Sequence, residues 1–294
     1  MTKTNRLLLI DGDNMLYRAY FKFGNLHSEG QSTGIIFGFP YMVRSLITKF
    51  KPNKIIAVFD GGCADYRREL LPGYKVREPK LGFDADSFRY QKEVVRELMM
   101  VLNCYVVWRK GCEADDLIYH TITHHPDWDI TLVSADKDFH QLIREGLSVW
   151  YPPKDILLTS KNLKRYFPYT PEECLDYLCL IGDDSDKIPN IPQCGEKTAR
   201  KFLDTYGSIK NWWPTTDNPF RVSRDQAMAI IKRNKRLISL RWYYLLKGRK
   251  QEIPYMNTKP KFDMVWVGKI ARQYQVNTLI KTDFIEGFKN INHA

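Results

Sequence analysis

Four short β-type runs each lead into an acidic residue, and this repeated ordering limits the folds open to the chain more than any other feature. Leu7-Leu8-Leu9-Ile10 runs into Asp11, and Ile55-Ile56-Ala57-Val58-Phe59 runs into Asp60. Tyr105-Val106-Val107-Trp108 is followed by a short basic turn and Glu113, and Ile130-Thr131-Leu132-Val133-Ser134 by Asp136 and Asp138. The runs are continuous and rich in β-branched residues, as strands buried on both faces are. Helix-like segments at about 35–50, 86–102 and 113–123 separate them. This alternation predicts βαβ units and an α/β fold with a mostly parallel central sheet flanked by helices. Ligands of an open parallel sheet bind beyond the carboxyl ends of its strands, so strands that are neighbours would gather their acids at one edge.

The texture changes near residue 171. Pro171-Glu172-Glu173 reads as a helix start, with proline in the first turn and acids facing the positive end of the dipole. The helix runs over 171–181 and stops at Gly182; Ile188 to Gly195 is a proline-broken connection; Glu196 to Tyr206 is helical again. Two regions are therefore expected: an α/β catalytic core over 1–170, with a charged, broken lid near 77–92, and a mostly helical region over 171–294. Trp212-Trp213 and Trp242-Tyr243-Tyr244 read as core rather than as base-stacking platforms.

Charge follows the same division. Residues 1–186 hold 24 basic and 26 acidic side chains, a net of −2, whereas residues 187–261 hold 17 basic and 5 acidic, a net of +12. Such a block suits a polyanion such as nucleic acid, although a solvated basic surface has the same composition. The apolar runs are about five residues long, against the roughly 20 needed to span a bilayer, and Leu7 to Ile10 is too short for a signal-peptide core. The six cysteines form no CxxC pair, which argues against a zinc knuckle and for reduced thiols in a cytoplasmic protein.

Nine carboxylates stand at the marked positions: Asp11, Asp60, Glu113, Asp115, Asp116, Asp136, Asp138, Asp183 and Asp186. Each group alone fits an ordinary turn, cap or solvated loop. Together at one edge they would repel, at on the order of 4 kcal/mol for two charges about 4 Å apart in an effective dielectric near 20. Hard oxygen donors without histidine or cysteine select Mg²⁺ or Mn²⁺. Paired divalent ions serve in-line displacement at phosphorus, and a neighbouring basic block makes a nuclease the natural reading.

These residues resemble the 5′-nuclease or flap endonuclease family, which includes the 5′-nuclease domain of bacterial DNA polymerase I and stand-alone bacteriophage 5′-exonucleases. The likeness runs through most of residues 6–206, in order: Asp11-Gly12 with Tyr17-Arg18; Gly38-Phe39; Val58-Phe59-Asp60; Tyr66-Arg67-Arg68-Glu69 with Gly73-Tyr74-Lys75; Glu113-Ala114-Asp115-Asp116; Ala135-Asp136-Lys137-Asp138; Gly182-Asp183-Asp184-Ser185-Asp186; and Gly195-Glu196-Lys197-Thr198-Ala199. The resemblance implies a first metal cluster of Asp11, Asp60, Glu113, Asp115, Asp116 and Asp136. Asp138, Asp183 and Asp186 would complete a second, with Asp136 near both. Lys75 and Arg67 would approach the scissile phosphate, and Tyr74 would stack on a base. Residues 77–92 would form part of an arch for a 5′ single strand. A helix–three-turn–helix module over 176–206 would hold duplex phosphates through Gly195, Lys197, Thr198, Arg200 and Lys201, beside a potassium ion. The chain has Gln193-Cys194-Gly195 where relatives commonly have Gly-Ile-Gly. Asp13 has no family role and reads as a solvent-facing or capping residue.

The expected activity is structure-specific 5′-3′ exonuclease and flap endonuclease action in DNA replication and repair. Two Mg²⁺ ions would be required, with Mn²⁺ able to substitute. The substrate would be DNA with 5′ flaps, forks or 5′ ends, with RNA–DNA hybrids left open, and the protein would be a monomer. No polymerase motifs fit after residue 294, so a stand-alone nuclease of phage or plasmid origin is expected. Two rivals come from other classes. Ile10-Asp11-Gly12-Asp13 imitates the haloacid dehalogenase-like phosphatase motif but leaves Glu113 to Asp116 and the basic block unexplained. A non-catalytic DNA binder would need the basic block without the acids. A ribonuclease of the same fold family stays open.

Overall fold

A computed structural model of the protein describes residues 5–63, 65–76, 82–242 and 260–291. The chain divides into two compact units that interleave along the sequence. One comprises Met1–Gly62, Pro79–Ala135 and Glu252–Ala294; the other comprises Cys63–Glu78 and Asp136–Gln251.

The first unit is built on β1 (Arg6–Asp11), β4 (Lys54–Val58), β5 (Tyr105–Val107) and β6 (Asp129–Val133). They lie side by side in the order β5-β4-β1-β6, all parallel. The register pairs Asp11 with Val58, and Val58 with Val107, so the carboxyl ends of these strands share one edge. Leu7 to Ile10 and Ile55 to Val58 are almost wholly buried, which explains why they lack period-two polarity. The chain moves outward from β1 to β4 and β5, then returns to β6 on the far side of β1. That reversal is a topological switch point, where open α/β sheets place their ligands.

Helices α1 (Gly12–Phe23), α2 (Gly34–Phe50), α4 (Ala85–Val101) and α5 (Ala114–His124) connect the strands, with a small antiparallel pair, β2 (His27–Ser28) and β3 (Gln31–Ser32), between α1 and α2. Helix α1 starts without a spacer after β1. A Cβ at Gly12 would stand 2.6 Å from both the Phe59 ring and the Val58 carbonyl oxygen, so only glycine lets the helix leave so close to β4.

Two expectations change here. Residues 85–92 of the expected lid are the first turns of α4, whose N-cap Asp84 accepts from the Ser87 N–H; residues 77–81 lie outside the described residues. The C-terminal stretch also does not extend the helical half. Helices α11 (Met264–Gln273) and α12 (Thr282–Lys289) belong to the first unit, where α11 packs on α4 and α12 on α2. The Asp263 N–H donates to the Val101 carbonyl, and the Asn103 amide donates to the carbonyls of Phe288 and Ile291.

The second unit holds α3 (Asp65–Leu70), a 3₁₀ turn (Lys137–Leu142), an antiparallel pair β7 (Leu147–Tyr151) and β8 (Ile156–Leu158), and α6 (Leu163–Tyr166). Then follow α7 (Pro171–Ile181), α8 (Glu196–Tyr206), α9 (Ile209–Trp212) and α10 (Arg224–Ile238). Thr170 and Glu173 form a reciprocal capping box at α7. Trp212 is buried against Phe202 and Phe220, as a core residue; Tyr243 and Tyr244 lie outside the described residues.

Phe288 is fully buried although its helix lies far in sequence from α2, on which it packs. Phe288→Ala should cost about 3–5 kcal/mol in urea-induced unfolding, as a core truncation does. A cost near zero would mean that the C-terminal helices are not part of the core.

Candidate active site

Asp11 ends β1 and caps α1, accepting from the Asn14 N–H at 3.2 Å. Its second oxygen accepts from the Ser134 hydroxyl at 2.7 Å. Ser134 directly follows β6, so this bond spans the switch point between β1 and β6. Asp60 lies two residues past β4. Its loop is stitched to the loop before α5, with Gly61 N–H donating to the Cys112 carbonyl at 3.0 Å and Gly111 N–H to the Gly61 carbonyl at 2.9 Å. A Cβ at Gly61 would stand 1.9 Å from the Arg109 carbonyl oxygen, so this close approach also demands glycine. Glu113 occupies the N-cap position of α5, with Asp115 and Asp116 in the first turn, where the helix dipole favours negative charge.

This unit therefore brings Asp11, Asp60, Glu113, Asp115 and Asp116 to one edge. Asp11 is 5% exposed, Glu113 1% and Asp116 4%. Carboxylates taken out of water cost several kcal/mol each unless cations or hydrogen bonds compensate. The donor set is entirely oxygen, which fits Mg²⁺ or Mn²⁺ and not a thiolate-bound metal. Among the described residues, no three His, Cys, Asp or Glu side chains are grouped so as to hold a metal ion, so the acids share an edge and not a formed binding site.

The second unit carries the remaining acids. Asp136 caps the 3₁₀ turn, accepting from the Asp138 N–H at 2.9 Å, and this turn packs on α7. Asp183 folds its own loop: one oxygen accepts from Ser185 N–H at 2.7 Å, Ser185 hydroxyl at 2.6 Å and Asp186 N–H at 3.2 Å. Lys75 joins this loop. Its N–H donates to the Asp186 carbonyl at 3.0 Å, and its ammonium stands 3.6 Å from the Asp186 carboxylate. Lys75 takes a left-handed backbone, φ 52°, which turns it out of the Leu71–Tyr74 turn towards that contact.

The helical module supplies a different surface. Pro192, Gln193, Cys194, Lys197, Thr198 and Lys201 line a shallow cavity of about 290 Å³ at the start of α8, with Arg221 at its rim. Helix N-termini with nearby lysines bind phosphate readily. Buried Asn234 on α10 donates to the carbonyls of Cys179 at 3.0 Å and Pro189 at 2.9 Å, tying the end of α7 to the connection before α8. Nothing in the sequence marked this asparagine.

A family model for the 5′-3′ exonuclease N-terminal resolvase-like domain matches residues 6–174, and one for the 5′-3′ exonuclease C-terminal SAM fold matches residues 169–256. A 5′-3′ exonuclease of Aquifex aeolicus (strain VF5) is 33% identical over 208 residues, covering 70% of this chain and 71% of that protein. The chain belongs to the 5′-3′ exonuclease family. DNA polymerase I of Lactococcus lactis subsp. cremoris (strain MG1363) is 32% identical over 230 residues; the match covers 74% of this chain but 26% of the polymerase. The fold is that of the bacteriophage T5 D15 flap endonuclease, solved with DNA and metal ions, at TM-score 0.70 and 17% identity over 99% of this chain and 100% of that one.

In this 5′-3′ exonuclease, three expected DNA contacts sit differently from the sequence reading. Tyr74 is 4% exposed, so its ring is packed inside and not offered as a stacking platform. Arg67 is also buried, with its guanidinium over the Tyr66 ring. Arg200 already holds both carboxylate oxygens of Glu173, at 2.7 and 2.8 Å, and also bonds Asp204. Its fork braces α8 against the start of α7, while Lys197, Thr198 and Lys201 line the cavity at the start of α8. Asp13, expected in solvent or at a cap, is instead bound by Lys92.

The Arg200 hydrogen bonds hold the Glu173 carboxyl below its ordinary value of 4.5. A lowered folded value contributes stability at neutral pH that is lost as pH falls through it. Urea titrations should show wild type more stable than Glu173→Gln at pH 7, with the gap closing below about pH 4. A gap that stays constant with pH would show that the pair is not the cause.

Proposed function

We propose that this member of the 5′-3′ exonuclease family is a divalent-metal-dependent, structure-specific 5′-nuclease acting on branched or 5′-ended DNA. The observation that carries this reading is the burial of Asp11, Glu113 and Asp116 at the switch-point edge of a parallel sheet, with Asp60 stitched alongside. Asp11, Asp60, Glu113, Asp115, Asp116 and Asp136 would hold one Mg²⁺, and Asp138, Asp183 and Asp186, with Asp136, the other. Mn²⁺ has the same preference for oxygen donors. Bound there, the ions would supply charge stabilisation for an in-line displacement at phosphorus.

The chain's own residues do the rest. Lys197, Thr198, Lys201 and the backbone N–H groups at Gly195 grip duplex phosphates. Lys75, turned towards the acidic loop through Asp186, stabilises charge on the transferred phosphoryl group, and Arg67 fixes the Tyr66 side of that segment. The terminal nucleotides must unpair to reach the sheet edge, at a cost of a few kcal/mol. The potassium reading at the hairpin draws support from Gln193, which adopts φ 62°, so the loop keeps a left-handed turn without glycine there. We take the protein to be a cytosolic monomer, with RNA–DNA hybrids left open as a second substrate. No described helix is long and apolar enough to cross a membrane.

A 5′-flap duplex labelled at each end should be cut with Mg²⁺ and left intact with EDTA, and an RNA flap in the same assay reads the hybrid question. Asp136→Asn should abolish turnover while retaining DNA affinity, and wild-type rates in that variant would overturn the reading. Lys75→Ala should slow single-turnover cleavage by about 10²–10³, the scale of losing one transition-state donor. Lys197→Ala should weaken binding to all sequences alike and reduce the salt slope by about one; an unchanged slope would remove it from the phosphate contacts.

A further inference from the structure

Asp13 stands two residues after Asp11, yet its carboxylate is fully committed elsewhere. One oxygen accepts from the Asp60 backbone N–H at 2.6 Å, and the other accepts from the Lys92 ammonium at 2.6 Å. The same ammonium donates to the Asp60 backbone carbonyl at 3.0 Å. Both peptide groups of Asp60 are thus held, one by a carboxylate from α1 and the other by an ammonium from α4, and the two holders are bonded to each other. The Asp60 side chain is constrained as well, since one of its oxygens accepts from the Gly62 N–H at 2.7 Å.

The ring is mostly out of water, with side-chain exposures of 14% for Lys92 and 20% for Asp13. At that depth the attraction is screened less than at a surface. Arg96, one turn further along α4, bonds Glu93 through its guanidinium at 2.8 and 2.9 Å and attracts Asp13 only through space.

We infer that Asp13 and Lys92 form a buckle that positions Asp60 for its divalent ion, and that Asp13 is not itself a metal ligand. This rests on the reading of Asp60 as a ligand. A loop residue past a strand end has two soft dihedrals, and holding the N–H and the carbonyl on either side of its Cα removes that freedom before any ion arrives. Groups that orient a ligand in this way typically govern metal affinity by about 10–100-fold when removed. Because Lys92 neutralises Asp13, the buckle adds no net charge to the acidic cluster beside it. Lys92 and Asp13 are positioning residues, and neither touches the reacting atoms.

The test is Mn²⁺ titration calorimetry on the full chain stripped of metal, together with the Mg²⁺ concentration that half-saturates cleavage. Lys92→Met should weaken Mn²⁺ binding by about 10–100-fold and raise the half-saturating Mg²⁺ in proportion, while the rate at saturating Mg²⁺ stays within about threefold. Wild-type Mn²⁺ affinity in folded Lys92→Met would overturn the inference. Lys92→Met strands the Asp13 charge, so the double variant Asp13→Asn/Lys92→Met guards against misfolding. Its Mn²⁺ affinity should fall closer to wild type than the product of the two single losses predicts, as coupled residues require; simple multiplicative losses would show no buckle. Asp60→Asn separates this inference from the reading beneath it. If Asp60→Asn leaves Mn²⁺ affinity unchanged, the acidic-edge reading fails. If Asp60→Asn weakens it and both buckle variants do not, only the buckle fails.

Discussion

Like charge gathered in a dry place is the constraint on which the first unit depends. Asp11, Glu113 and Asp116 are buried at one edge of a parallel sheet, and each would be more stable in water if nothing compensated it. The fold answers with dipoles and donors. Asp11 has the first turn of α1 and the Ser134 hydroxyl; the α5 acids sit at a helix N-terminus. These compensations leave a site whose remaining negative charge suits divalent cations.

The topology explains why the acids meet. Parallel strands all end at the same edge, and the reversal between β1 and β6 opens a crevice where two connections part in opposite directions. Gly12 and Gly61 then allow the backbone to approach where any side chain would collide. Chemistry is concentrated at that edge because sheet geometry leaves few other places for strand-end residues to converge.

The two units divide the work of the family. The first holds most of the acids on rigid strand ends and helix starts, while the second presents lysines at the N-terminus of α8 and carries the Lys75–Asp186 contact. Asn234 and the Glu173–Arg200 pair brace the helical module internally, so the lysines at the start of α8 stand on a fixed base.

Local pattern determined much of this. The runs at 7–10, 55–58, 105–107 and 130–133 could be read as strands because each is apolar and holds β-branched residues, and the helices at 171–181 and 196–206 carry their own start and stop signals. The acids at the strand ends were legible for the same reason, since topology sends every parallel strand's carboxyl end to one place. Pairing across long separations was not legible. That α11 and α12 return to cover α2 and α4, that Arg200 turns to Glu173 and not towards DNA, that Tyr74 points inward, and that Lys92 finds Asp13 all depend on which surfaces tertiary packing brings together. A side chain's charge and period are written locally, but its partner is chosen by the fold.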